Sequence, residues 1–560
     1  MEWRVAISEQ FGNKWGAALL DERKLDLDML LQYDGCLPCF SVAEMEAAFR
    51  AVKNQRRMDV SGCSVAGCKF LFQACPDEFT EWTSTYLAST ADIAGCVVNG
   101  RVFGKASKHA HVCKLRAILP LPAPHQISDA VIANQVHAHL DRILPKQRNL
   151  FVGGRPCTQC QDISHAIQLT TERGLDDLSE AAVAQADIET FYDSLPIRKN
   201  CLELIDTGLD PAVAAAAFRH QMMPRVELSS NNFKVASFNF RTIGGLTGSR
   251  VAGALARYPV ESTMQALEPA LRHWQFQAAH VQIMLAAYID NMYAFSSSVF
   301  GATAILEAVE DHIKDKWSLR FKDSSREVMP AAENPCLQTC EPHWVVVSKM
   351  DVLGACVQND NGTDKALAKL RSRLRAAFWR NARHASFRLL SVQAKFTMIQ
   401  RATLSVLRFG ASGVIATPAA MADLDHLQRG LFASFIVIVR NAAETNNEYF
   451  TRKRNHVRNH PLCCGSNAWS HVWAQQILHW DAHLQRERSR QSRHLLAPSV
   501  CETAWSFAAQ LTHPDFHANL NTRRLSVSSP GESRLRRRRA RRVFPRWHDA
   551  VAVAHRKVVP

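Results

Sequence analysis

Long apolar runs are missing from this sequence of 560 residues. The longest candidate, from Leu431 to Val439, is much shorter than the 18 or more apolar residues expected of a membrane-crossing helix. The N-terminus also lacks the pattern of a secretory signal, and no internal repeat is visible. We therefore expect a soluble, intracellular protein with no membrane partner.

Clear metal-ligand spacing is also missing, although the sequence has 16 cysteines. Without a secretion signal these are expected to be reduced thiols and not a disulfide framework. No ligand pair repeats the tight spacing of a zinc site, so zinc is not the favoured interpretation, but the sequence leaves zinc binding by these clusters open. The clusters considered were Cys36, Cys39, Cys63 and Cys68; Cys157 and Cys160; and His456, His460, Cys463 and Cys464.

Positive charge is abundant and unevenly distributed along the chain. The formal net charge is +15, and residues 441–560 hold 20 Lys and Arg against 8 Asp and Glu. The C-terminal fifth is therefore expected to face a polyanion. With 47% hydrophobic residues, a chain of this length should bury a large core and divide into more than one domain.

Two buried strands are predicted to deliver carboxylates. The apolar run 181–188 contains Asp187 near its end, and the run from Val281 to Ser296 is interrupted at Asp290 and Asn291. We predict a hairpin with these two residues at its tip, since Asn tolerates positive φ. Two carboxylates on adjacent strand ends could hold a pair of divalent ions, although each alone is equally typical of an ordinary turn.

Ordered motifs between about residues 48 and 360 resemble the reverse transcriptases. The segments similar to family motifs are FGKASKHAHVCKLRAILPL (103–121), ADIETFYDSL (186–195), RTIGGLTGSR (241–250), YIDN (288–291), WSLRFKDSSREV (317–328) and DVLGACV (351–357). The stretch KQRNLFVGGRPCTQCQDI (146–163) is similar to the enzymes of non-LTR retrotransposons, the LINE-type elements, more than to retroviral ones.

The resemblance implies an α+β right-hand polymerase with fingers, a palm whose antiparallel sheet packs on helices, and a helical thumb. The implied regions are an N-terminal segment (1–47), fingers (48–180), palm (181–360), helical thumb (361–445) and a basic, partly disordered C-terminal extension (446–560). The sequence leaves the oligomeric state open.

The implied activity is RNA-directed DNA polymerisation, in which dNTPs extend a DNA primer on an RNA template. Two Mg²⁺ ions, for which Mn²⁺ could substitute, would assist attack of the primer 3′-hydroxyl on the α-phosphate. The resemblance assigns the metal ligands to Asp187, Asp290 and the carbonyl of Ile188. Asn291 belongs to the same catalytic group.

The resemblance also implies nucleotide contacts. Tyr192 matches an aromatic ring that excludes a 2′-hydroxyl and so favours deoxynucleotides. Lys105 and Arg116 match cations that grip the triphosphate. Gly245 and Ser249 match a loop that approaches the nascent base pair.

Nucleic-acid binding is expected of basic residues in two further regions. An amphipathic helix from Lys365 resembles the thumb, and an arginine run near the C-terminus could bind phosphates or act as a nuclear import signal. A nuclear location is therefore expected. The residues are Lys365, Lys369, Arg371, Arg373, Arg375, Arg536, Arg537, Arg538 and Arg539.

Two positions depart from the family pattern. Gly244 stands where the family has Gln, and Asn291 stands where it usually has a second aspartate. These departures keep open a degenerate or repurposed protein that binds nucleic acid without catalysis. An RNA-templated RNA polymerase is a further alternative, although it would favour a small or polar residue near position 192.

The general acid of the reaction is left undecided by the sequence. The segment 317–328 corresponds to a family motif that often carries a lysine able to protonate the leaving pyrophosphate. Lys322 or Arg326 could occupy that position, although an arginine would be a poor acid because it hardly deprotonates.

Overall fold

The computed structural model describes most of the chain up to residue 476. The described residues are 2–15, 33, 35–53, 58–59, 62–104, 115–147, 149–155, 158–176, 180–230, 233–238, 241, 243–278, 281–331, 343–359, 364–411, 414, 418–460, 463 and 467–476.

Helices and strands alternate irregularly along these residues, as expected of a mixed fold. The helices are α1 (Glu2–Trp15), α2 (Val42–Ala51), α3 (Val65–Ala74), α4 (Pro76–Ala88), α5 (Thr90–Gly95), α6 (Ala123–Ile143), α7 (Cys160–Asp176), α8 (Phe191–Ser194), α9 (Ile197–Asp206), α10 (Pro211–Met222), α11 (Arg250–Leu271), α12 (Val299–Trp317), α13 (Asp364–Ala382), α14 (Val392–Gly410), α15 (Pro418–Ala433) and α16 (Asn446–Asn459).

The strands are short. They are β1 (Val97–Gly104), β2 (Leu115–Ile118), β3 (Leu150–Val152), β4 (Ala182–Asp187), β5 (Arg225–Ser230), β6 (Phe233–Phe238), β7 (Phe276–Ala278), β8 (Val281–Ile283), β9 (Leu285–Tyr288), β10 (Asn291–Ser296), β11 (Glu327–Pro330), β12 (Val345–Val346), β13 (Lys349–Val352) and β14 (Ala355–Gln358).

A six-stranded sheet with the order β12-β11-β4-β10-β9-β3 lies at the centre of the described chain. Its middle strands are antiparallel, but β3 pairs with β9 in parallel and β11 pairs with β12 in parallel. The expectation of an antiparallel sheet is therefore wrong at both edges, where the sheet is mixed. Two parallel edge strands need crossover connections, which sequence patterning does not reveal.

Helices pack on both faces of this sheet at β4. The strand consists mainly of small apolar residues, so both of its faces can be buried. Ala184 and Ala186 pack in a core with Ile305 and Val309 of α12, on one face. Val183 packs on the other face with residues of α7. Successive strand residues point to opposite faces, so each face of β4 is buried and the strand lies in the interior.

A second sheet, with the order β2-β1-β5-β6, carries α1 on its apolar face. Phe11 and Trp15 of α1 are almost completely buried against strand residues such as Phe238. The predicted N-terminal segment thus contributes a helix to the folded core. Sequence reasoning assigned it no role.

Helices α13 to α16 form a separate apolar cluster that includes Leu374, Phe378 and Trp469. The predicted basic helix from Lys365 corresponds to α13. The β13–β14 hairpin lies beside α13, and Cys356 of β14 joins its cluster. Within the described part of the chain, every helix is too short or too polar to cross a bilayer.

Candidate functional site

The two predicted carboxylates lie at neighbouring strand ends of the six-stranded sheet. Asp187 is the last residue of β4 and is paired in register with Asn291, the first residue of β10. Asp290 immediately precedes β10, and its backbone carbonyl accepts a hydrogen bond from the Ile188 N–H at 2.7 Å. The sheet thus brings together two acids that are far apart in the sequence.

The hairpin that carries Asp290 differs by one residue from the prediction. Its two-residue turn consists of Ile289 and Asp290, and Asn291 is already part of β10. The residue with positive φ is Ile289, at 61°, and not the asparagine. A β-branched residue in this region costs about 1–3 kcal/mol and is held there only by the surrounding structure. Such strain is often found at functional sites.

Charge repulsion acts between the two carboxylates. Partial burial raises the pKa of Asp187, the negative charge of Asp290 raises it further, and the Lys322 cation opposes both effects. Ionising Asp187 therefore carries an energetic penalty in the folded protein. A cation bound between the two groups would remove that penalty.

Two polar side chains of β10 lie near this pair. The Asn291 side-chain amide donates to the Asp290 carboxylate at 2.9 Å and so orients it. Tyr293 of β10 is fully buried, and its hydroxyl has no hydrogen-bond partner among the described residues. Burial and the charges of Asp187 and Asp290 raise the pKa of Tyr293 well above its ordinary value.

These residues fit a hydrated magnesium site. Mg²⁺ prefers oxygen ligands, is bound by one or two carboxylates plus phosphates, and retains several waters. The unpartnered Tyr293 hydroxyl could donate to such a water. Among the described residues no group of three or more His, Cys, Asp and Glu side chains is placed to hold a metal ion by itself. The two carboxylates would therefore need substrate oxygens and water to complete the coordination.

Tyr192 lies close to Asp290. It is half-buried on α8, and burial together with the Asp290 charge raises its pKa to about 12. Its ring lines a cavity of about 240 Å³ together with Gly253, Ile289 and Gly154. The phenol remains neutral at physiological pH and forms one wall of this cavity, which is also lined by Ile289, the residue before Asp290.

A glycine missed by the sequence reasoning shapes the same region. A Cβ on Gly153 would overlap the ring of Tyr288, so no other residue can stand there without moving the ring. The Gly153 N–H donates to the Ala287 carbonyl at 2.6 Å. Close packing against Tyr288 therefore explains why the first residue after β3 is glycine. In the sequence, the pair of glycines before Arg155 was the feature that could have indicated this close contact.

The glycine loop, residues 243–249, lies against α8. The Gly245 N–H donates to the Tyr192 carbonyl at 2.7 Å, and the Gly244 N–H donates to the Leu195 carbonyl at 3.0 Å. Gly244 has φ of 83°, and a Cβ there would lie 2.7 Å from the Asp193 carbonyl oxygen. This backbone cannot accommodate the Gln that the family has at this position.

Ser249, predicted to contact nucleotide, has a structural role in the folded chain. It is buried and caps α11 by accepting a hydrogen bond from the Ala252 N–H at 3.1 Å. Its hydroxyl also donates to Asp129 and accepts from the Gln221 amide at 2.8 Å. A hydroxyl with these partners is already satisfied, so Ser249 is better understood as a cap than as a nucleotide contact.

Lys322 and Arg326 have different environments. The Lys322 N–H donates to the Asp187 carbonyl at 2.8 Å, and its exposed side chain is close enough to lower the pKa of Asp187. Arg326 is half-buried in an ion pair with Glu310, at 2.8 Å. Of the two residues, Lys322 is therefore the one whose charge acts on Asp187.

Arg116, one of the two predicted triphosphate cations, belongs to the other sheet. Arg116 is exposed on β2, opposite Phe103 of β1. Lys105 lies outside the described residues, as do Arg536, Arg537, Arg538 and Arg539.

The basic helix α13 uses several of its cations within the protein. Lys369 is paired with Asp351, Arg371 with Asp423 at 3.1 Å, and the Arg373 guanidinium donates to the Gly354 carbonyl. The prediction treated them all as nucleic-acid contacts and overlooked these partners, because spacing on a helix does not show what packs against it. Lys365 and Arg375 are exposed.

Comparison with known proteins adds no assignment. No family model matches the chain, and no curated protein matches it.

Proposed function

We propose that this chain is an RNA-directed DNA polymerase of the non-LTR retrotransposon type. The observation that carries the proposal is the pairing of Asp187 with the strand that follows Asp290, which brings two carboxylates to adjacent strand ends. Two-metal nucleotidyl transfer needs such a pair on rigid elements. The ordered motifs of the sequence supply the reaction class.

Each residue near the pair has a role in this proposal. Asp187, Asp290 and the Ile188 carbonyl would hold two Mg²⁺ ions, which would neutralise phosphate charge and lower the pKa of the primer 3′-hydroxyl. Tyr192 would close the space beside the nucleotide sugar and exclude a 2′-hydroxyl. Lys322, beside Asp187, would donate a proton to the leaving pyrophosphate.

The partners in this proposal are an RNA template, a DNA primer and dNTPs. The exposed cations Arg116, Lys365 and Arg375 support contacts with phosphates. The arginine-rich C-terminal sequence, with its charge of +12 over residues 441–560, supports nucleic-acid binding and nuclear import.

A second candidate is a protein that binds nucleic acid without polymerising. Asn291 and Gly244 motivate it, because both depart from the family pattern. Local geometry offers a reason for each residue: Asn291 orients Asp290, and Gly244 permits the approach of the glycine loop to Asp193. Both reasons are compatible with retained catalysis and support polymerase activity as the first candidate.

Substitution of the carboxylates tests the proposal. In primer extension on RNA with dNTPs and Mg²⁺, Asp187→Asn and Asp290→Asn should each reduce incorporation by at least about 1,000-fold. The matched control is Asp311→Asn, because Asp311 is an exposed acid on α12. Wild-type and control extension with both variants inactive supports the proposal. Full activity in either variant would refute its metal assignment, and an inactive wild type would favour the second candidate.

A further inference from the structure

The C-terminal end of α1 contacts the helix that carries Tyr192. The Lys14 ammonium forms an ion pair with the Asp193 carboxylate at 3.1 Å. The Trp15 indole N–H donates to the other carboxylate oxygen of Asp193 at 3.2 Å. Asp193 follows Tyr192 directly, so two side chains of a distant segment hold the neighbour of the proposed sugar-contacting ring.

Trp15 also connects α1 to the glycine loop. Its ring, 1% exposed, lies 5.6 Å from the Arg241 guanidinium and packs edge-on against Phe238. Arg241 is buried and donates to the Gly244 carbonyl at 3.2 Å and to the Gln221 carbonyl. The same indole therefore contacts α8 and the cation that supports the glycine loop.

The Asp193 contact and the glycine loop, both of which α1 reaches through Trp15, lie next to Tyr192. The glycine loop binds the Tyr192 carbonyl through the Gly245 N–H, and Gly244 lies directly against the Asp193 backbone. Helix α8 has only four residues, Phe191–Ser194, and its first residue is preceded by Thr190 with φ of 47°. A single turn with a strained start has little rigidity of its own, so its position depends on what it contacts.

We infer that α1 is a positioning element for nucleotide selection, with Lys14 and Trp15 holding Asp193 and, through it, the Tyr192 ring. This inference rests on the proposed function. Discrimination against a 2′-hydroxyl depends on a close contact between the ring and the sugar. A small displacement of the ring would relax that contact with less effect on dNTP incorporation.

The effect of Lys14 on the position of Asp193 can be measured separately from its effect on folding stability. The Lys14 side chain is 21% exposed and that of Asp193 is 25% exposed. Exposed ion pairs contribute below about 1 kcal/mol to stability, and this mostly buried pair lies between that case and a fully buried pair. Because both groups keep some contact with solvent, removing the ammonium should cost only part of the folding free energy and leave the fold intact, while it releases one oxygen of Asp193.

The test compares dNTP and rNTP incorporation by the full chain. Lys14→Met should lower the ratio of kcat/KM for dNTP over rNTP by roughly fivefold, mainly through better rNTP use. Lys14→Arg should retain the wild-type ratio, because it restores the cation. Trp15→Phe keeps the ring but removes the N–H donor and should lower the ratio in the same direction.

The matched control is Lys316→Met, which removes an ion pair of similar length, 3.0 Å to Glu203, outside this contact. It should leave the ratio unchanged. The inference is overturned if wild-type protein incorporates dNTPs and both Lys14→Met and Trp15→Phe keep the wild-type ratio. It is also overturned if Lys14→Arg or the Lys316 control loses as much discrimination as Lys14→Met. If wild-type protein incorporates no nucleotide, the proposed function fails first, and the inference fails with it.

Discussion

At the scale of single residues, the two neighbouring carboxylates that could bind a metal ion lower the stability of the metal-free protein. Asp187 is partly buried beside Asp290, and both burial and the neighbouring charge raise its pKa. Below the ordinary pKa of an aspartate, Asp187 is protonated and the penalty is absent. The penalty develops as pH rises from the ordinary aspartate pKa to the raised pKa of Asp187, so the ionised pair destabilises the metal-free protein at neutral pH.

Asp290→Asn should therefore stabilise the metal-free protein at pH 7.5, by roughly 1 kcal/mol, while abolishing nucleotide incorporation. The stabilisation should be lost towards pH 3.5, below the raised pKa of Asp187, where that carboxyl group is protonated. Thermal unfolding with a chelator at the two pH values measures it. Asp311→Asn is the control and should show no comparable gain. A destabilised Asp290→Asn variant at pH 7.5 would contradict the proposed repulsion.

Gly244 offers a second test at this scale. Because it combines a φ of 83° with a backbone atom 2.7 Å from the missing Cβ, Gly244→Ala should destabilise the protein by about 2–3 kcal/mol. Gly430→Ala in α15 meets nothing within 4 Å and should be neutral or stabilising. Denaturant unfolding of both variants decides. Equal stability of the two variants would be inconsistent with the described loop.

At the scale of elements, sequence patterning identified the strands that carry the two acids, the basic helix and the hairpin near residue 290. Periodicity and composition suffice for those, because each element has its own apolar face. The turn was misplaced by one residue because Asn291 tolerates positive φ better than Ile289, and local preference gave way to strand pairing. Register and parallel edge strands depend on contacts distant in sequence, so they could not be predicted.

The candidate site was also predictable only in part, because several of its contacts join residues that are distant in the sequence. Asp187, Asp290 and Tyr192 are carried by recognisable motifs. Gly153 and the contact of Trp15 with Asp193 depend on which side chains meet after folding. The buried roles of Ser249 and Arg373 were also inaccessible, since a motif does not show whether a polar group has an internal partner.

Helix α13 carries cations that bond within the protein and cations that are exposed, and substitutions can distinguish the two kinds. Arg373→Ala should destabilise the protein by about 1–2 kcal/mol, because the guanidinium ties α13 to the Gly354 carbonyl of the β13–β14 hairpin. Arg375→Ala should leave stability unchanged and weaken duplex binding, since Arg375 is exposed. Unfolding and filter-binding measurements on both variants test this division. Reversed effects would mean that the exposed face has been misassigned.

Over the whole molecule, charge is the dominant sequence feature. The chain carries +15, and most of the excess belongs to residues 441–560. Neutralising phosphates releases counterions, so binding to nucleic acid should weaken steeply with salt. This property is independent of catalysis and of template sequence.

Removal of residues 477–560 should reduce that dependence. Each lost phosphate contact should lower the slope of log K against log salt by about 0.7–0.9. Titration of a labelled RNA–DNA duplex at several salt concentrations measures the slope for full-length and shortened chains. An unchanged slope would show that the arginine-rich sequence does not contact the duplex.

In the proposed function, Asp187 and Asp290 act together in metal-dependent polymerisation. The decisive experiment is primer extension by the wild-type chain on a primed RNA template, with dNTPs and with or without Mg²⁺. We predict templated extension that requires Mg²⁺, is restored by Mn²⁺, and stops when the metal is chelated. Extension that is independent of divalent ions, or the absence of extension under all these conditions, would contradict it.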